Sequence, residues 1–101
     1  MNKRMYVLVN DQLNKSQRIP QSSHAVAEYV FHYHDEVGDW VKDDRTIVVL
    51  QCHEHKMKIL SEILQSKSFV DEDLDNMLTA VAFYPMTKKE GDKYFRSLDL
   101  A

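Results

Sequence analysis

The chain has 101 residues, 44% of them hydrophobic, and a formal net charge of −3. That length supports one domain, residues 1–101, and not two, and the acidic balance argues against a partner held mainly by phosphate contacts. The single cysteine, Cys52, excludes an internal disulfide and fits a reducing compartment; no apolar run approaches the roughly 18 residues of a membrane span, so the expectation is a cytoplasmic protein with no membrane partner.

Met5 to Val9 (MYVLV) is a continuous apolar run closed by Asn10 and Asp11, the pattern of a buried strand. Residues 10–19 are mostly polar and read as a loop. Pro20 suits the first turn of a helix, where its missing N–H costs nothing. This helix is expected to run to about Glu36, because Val26, Tyr29, Val30, Tyr33 and Val37 recur every three or four residues. Gly38 is its expected stop, and 39–44 reads as a largely polar turn that also holds Trp40. Thr46 to Leu50 (TIVVL) is a second buried strand. Glu54 to Gln65 is a second amphipathic helix, with Met57, Leu60, Ile63 and Leu64 turned inward. Ser68 to Val70 opens a short third strand, and Leu78 to Tyr84 is a fourth, ended by Pro85. Thr87 caps a last helix with Glu90 three residues on, the capping-box spacing; that helix presents Tyr94, Phe95 and Leu98. The order β-α-β-α-β-β-α predicts an α/β sheet covered by helices, parallel where a helix joins two strands.

Cys52, His53, Glu54 and His55 are four ligand-capable residues in a row, but neighbouring side chains at a strand end point different ways. No second cluster at zinc spacing exists, so no metal is expected. Cys52 near histidines is formally a Cys–His pair, although a lone buried cysteine also serves as a small apolar filler. His32 and His34, two apart, cannot share a helix face. His24 and Glu28, four apart, can, and a carboxylate there could orient the imidazole; the same spacing also describes an ordinary surface pair. No G-x-S-x-G elbow or Gly-rich phosphate loop is present. Lys88, Lys89, Lys93 and Arg96, with the pair Lys3 and Arg4, are the clearest basic concentrations, and read as solvated faces.

Gln21-Ser22-Ser23-His24-Ala25 opens the helix after an apolar strand and a Lys-containing loop. It resembles the Q-x-x-H-A signature of type-2 peptidyl-tRNA hydrolases. Trp40 before RTIVVLQ is similar to the family's second strand. Thr79 to Pro85 (TAVAFYP) resembles its last, where a threonine opens the strand and a proline closes it. The likeness spans most of the chain. It implies a three-layer α/β/α fold with a mixed four-stranded sheet flanked by helices, and often a homodimer. The family reaction is hydrolysis of the ester joining peptide to tRNA, with no metal and no cofactor. Its site uses a loop lysine, an aspartate after the third strand and nearby threonines.

Carried onto this chain, the resemblance makes Lys15, His24, Asp71 and Thr79 candidate catalytic residues. Arg18, Gln21, Lys88 and Lys89 become candidate substrate-binding residues, with tRNA as the partner. The chain departs from the family in two places. Counting back from Gln21, the lysine usually given the catalytic role falls on Gln17, while Lys15 matches the other loop lysine. The family's D-A-G-R-T segment is replaced by Val70-Asp71-Glu72-Asp73-Leu74-Asp75, in which Asp71 or Asp73 could supply the carboxylate. Two functions therefore stand side by side: hydrolysis of peptidyl-tRNA or a related ester, and a non-catalytic relative that binds or dimerises. A third, unrelated to the family, is metal binding through Cys52, His53 and His55.

Overall fold

The computed structural model describes residues 2–101. Four strands and four helices follow in the order β1 (Arg4–Asn10), α1 (Lys15–His32), α2 (Gly38–Lys42), β2 (Thr46–Cys52), α3 (Glu54–Ile63), β3 (Ser66–Asp71), β4 (Met77–Phe83) and α4 (Lys88–Phe95). Short 3₁₀ turns occupy His34–Glu36 and Glu72–Leu74. The sheet order is β2-β1-β4-β3. β1 runs parallel to β2, and β4 is antiparallel to both β1 and β3. The sheet is mixed, as expected.

β1 sits inside the sheet with both faces covered, which is why MYVLV shows no alternation. Its odd residues Met5, Val7 and Val9 pack against Ala25 and Tyr29 of α1 and Trp40 of α2. Its even residues Tyr6 and Leu8 pack against Met57 and Leu60 of α3 and Phe95 of α4. The result is three layers, helix on sheet on helix.

α1 starts five residues before the expected position. Asn14 and Gln17 form a reciprocal capping box: the Gln17 N–H donates to Asn14 Oδ1 and the Asn14 N–H donates to Gln17 Oε1, both at 3.1 Å. Two satisfied terminal donors outweigh the start signal of Pro20, which lies inside the helix instead. The helix also ends early, at His32. Val37 and Trp40 belong to a separate segment that includes α2, and both are buried. The stretch expected to be a polar turn folds because Trp40 brings a large apolar area to the core and its indole N–H finds the Thr46 carbonyl at 2.9 Å.

Thr87 caps α4, accepting the Glu90 N–H at 3.2 Å. The Glu90 carboxylate instead accepts the hydroxyl of Tyr84. That hydrogen bond, followed by burial and the nearby negative charge, pushes the Tyr84 pKa up to about 12. The protonated phenol is therefore favoured in the fold. Its stabilisation is complete below the ordinary tyrosine value of about 10 and is lost as pH rises from there to about 12. Urea unfolding between pH 9 and 12 is expected to show a steeper loss of stability in the wild type than in Tyr84→Phe; equal slopes contradict the assignment.

Candidate site beneath the first helix

Gln21 is the joint of the site. It lies on α1 and is 8% exposed. Its Nε2 donates to Asp71 Oδ2 at 2.8 Å, and its Oε1 accepts from the Thr79 hydroxyl at 2.8 Å. One amide side chain thus links a helix to the last residue of β3 and to the middle of β4. Thr79 is fully buried, and its hydroxyl is also 3.0 Å from the Phe69 carbonyl.

Strict alternation would turn Thr79 to the same side as Val81 and Phe83, away from α1. A bulge changes this. Phe69 pairs with Ala80 and Val70 pairs with Leu78, so Thr79 is the extra residue on β4. A bulge sets two consecutive side chains on one face, and the threonine is delivered to Gln21.

Asp71 is the carboxylate of the acidic segment that faces α1. Its second oxygen accepts the Asp73 N–H at 2.9 Å. Glu72, Asp73 and Asp75 are exposed. Asp75 and Asn76 hold positive φ values of 56° and 59° and form the turn into β4, a conformation that short polar side chains tolerate best after glycine.

His24 is exposed and stacks on Phe69 of β3, with ring centroids 4.7 Å apart. The expected pairing of His24 with Glu28 is not made. Glu28 instead meets His32 at 3.3 Å, the next position on the same stripe. His34 is exposed beside Asp35.

The other family-derived positions lie elsewhere. Lys15 and Arg18 line a cleft of about 370 Å³ against Val49 and Gln51 of β2 and the chain near Leu100. β2 and β3 are opposite edges of the sheet, so these cations and Asp71 belong to different sides of α1. The Arg18 guanidinium is steadied by the carbonyls of Leu13 at 3.2 Å and Asp11 at 3.4 Å. Lys88 and Lys89 are on α4, across the sheet from α1. Lys88 pairs with Asp92 at 3.0 Å.

Cys52 is 3% exposed, and burial pushes its thiol pKa up, the opposite of what a nucleophilic cysteine needs. The His53 imidazole accepts the Lys56 N–H at the start of α3, and Glu54 pairs with Lys58 at 3.1 Å. Among the described residues no three His, Cys, Asp or Glu side chains converge as a metal site would require.

Sequence reasoning passed over Asn10 except as the end of a strand. It is 1% exposed and donates to the Leu78 carbonyl at 2.9 Å and to Glu54 at 3.2 Å, while accepting the Gln12 N–H at 3.0 Å. It ties β1 to β4 and α3 beside the site. A polar residue closing an otherwise apolar buried strand was the available signal.

No protein-family model matches the chain, and no curated protein matches it either. It is similar to the solved structure of a protein of unknown function from Agrobacterium tumefaciens strain C58, at 14% identity and a TM-score of 0.67, over 100% of this chain and 98% of that one. At that identity the likeness shows the fold alone: a mixed four-stranded sheet with helices on both faces.

Proposed function

We propose that the chain is a divergent relative of the type-2 peptidyl-tRNA hydrolases that binds a ligand without hydrolysing an ester. One observation carries the reading: the positions tied to catalysis by the resemblance are occupied with holding the fold. Gln17 caps α1 where a catalytic lysine would be. Both Asp71 oxygens accept hydrogen bonds, and the buried Thr79 hydroxyl sits between two acceptors. Ester hydrolysis calls for a base free to take a proton from water and a charge placed at the developing oxyanion. Lys15 and Arg18, the candidate cations, face the other edge of the sheet.

A second reading keeps the hydrolase. It is favoured by Gln21 drawing Asp71 and Thr79 together next to the exposed His24. With it come tRNA as partner, contacted by Lys88 and Lys89, and the homodimer of the family.

Peptide release from N-acetyl-aminoacyl-tRNA separates the two. Folded wild-type chain at high concentration is expected to match the protein-free rate. Release well above that rate, abolished by Asp71→Asn, overturns the binding reading in favour of the second.

A further inference from the structure

We propose that the groove between α1 and the β2 edge binds a small amphipathic anion, a long-chain carboxylate, with its head at Lys15 and Arg18 and its chain along α1. The proposal names the ligand of the binding role above and rests on it.

Two clefts meet here. The one at Lys15 and Arg18 has about 370 Å³. The second, of about 580 Å³, runs between Val26 and Val30 of α1 and Ile47 and Val49 of β2. They share Ile19 and Val49. Each volume lies in the range of small-molecule sites. No acidic side chain lines either cleft, and the main chain of Ala101 borders the first. Among the described residues neither cation is paired with a carboxylate. Both also sit in the first turns of α1, where the partial charge of the helix is positive and an anion relieves repulsion. The two backbone carbonyls on Arg18 leave part of its guanidinium unused and hold the rest in place.

The remainder of the groove is mostly apolar and faces water; its two serines, Ser22 and Ser23, donate their hydroxyls to the Ile19 carbonyl. Ile19 is 74% exposed and Ile47 45% exposed. From Lys15 to Val30 the helix rises about 22 Å at 1.5 Å per residue, the reach of an extended acyl chain. Polar recognition at one end and apolar cover along the rest is the chemistry of an amphiphile. The cationic cleft under α4, lined by Arg4, Lys88 and Arg96, differs: it contains Asp92, which already pairs with Lys88.

The test is calorimetric titration of the whole chain with laurate below its aggregation concentration, alongside acetate and the uncharged amide of laurate. One laurate per chain is expected to bind, with the amide about tenfold weaker, as befits one lost charge-assisted contact, and acetate not detected. Lys15→Glu is expected to weaken laurate about tenfold and Ile19→Asp to a similar extent; both side chains are exposed, and a wild-type unfolding midpoint shows the variants folded. Unchanged laurate affinity in both variants overturns the proposal. So does the absence of laurate binding, or binding only to laurate-containing vesicles. Peptide release in the preceding assay fails the non-hydrolytic reading independently of these titrations.

Discussion

Gln21→Leu is expected to lower stability by about 2 kcal/mol, a shift of roughly 8–16 °C in Tm for a domain of this size. Leucine keeps most of the volume but removes a donor and an acceptor at once. Asp71 loses the amide on Oδ2, and Thr79 loses its 2.8 Å acceptor while remaining fully buried. Leaving buried polar groups unpaired is the costly part, more than the loss of the bonds themselves. Asp71 is half-buried and retains the Asp73 N–H, so it can turn partly to water; Thr79 retains Phe69. Those remaining partners keep the cost near the middle of the usual range. Urea unfolding of Gln21→Leu, Thr79→Val and the double variant closes the cycle. A coupling of about 1 kcal/mol is expected. Strictly additive losses mean that the link between helix and bulge contributes nothing.

Gly91→Ala is expected to cost about 3 kcal/mol, against the ordinary rule. Glycine inside a helix is about 1 kcal/mol worse than alanine, so the substitution should help α4. Here a Cβ would stand 2.6 Å from the Tyr6 hydroxyl oxygen and closer still to the ring carbons. Tyr6 cannot withdraw easily: it is 5% exposed and stacked on Phe95 at 4.8 Å. Overpacking of this kind forces side chains off their rotamers or the helix off the sheet. The check is the same substitution in a Tyr6→Leu background, where the clash is relieved. There Gly91→Ala is expected to be neutral or stabilising by denaturant midpoint. A loss as large as in the wild-type background refutes the steric explanation.

The strands were the most legible part of the sequence. MYVLV and TIVVL lie in β1 and β2 as expected, but only β1 is buried throughout its apolar run; β2 is an edge strand, and of Thr46 to Leu50 only Leu50 is buried, with Ile47 open to water. β3 and β4 appear within a few residues of their expected bounds. Helix ends were harder. Pro20 is a strong signal for a helix start, yet Asn14 and Gln17 begin α1 earlier because a cap satisfies backbone groups directly. Trp40 in a polar stretch hid a short helix, because one buried indole can order a segment whose other residues are solvated.

Within the site, sequence marked Gln21, Asp71 and Thr79 through their order against a family pattern, and the fold joins these three through Gln21. It does not bring Lys15 to them. Which side of α1 a residue faces against the sheet depends on strand order, and strand order is set by pairings between residues far apart in the chain, as in Arg4 with Met86 and Val7 with Ala82. The β4 bulge is equally non-local, since it exists only as a mismatch between two strands.

What the sequence by itself determined was therefore the local part: the element types and their order apart from α2, most apolar positions of the core though not Ile63, which is exposed, the single thiol and the acidic segment 70–75. Hydrophobic periodicity and turn chemistry act over a few residues and can be read without partners. Only the tertiary structure decided that Asp71 and not Asp73 meets the helix, that Thr79 turns toward Gln21, and that Lys15 and Arg18 border an apolar groove on the far side. Each of these depends on which strands lie side by side and in what register, and no local pattern along the chain encodes that.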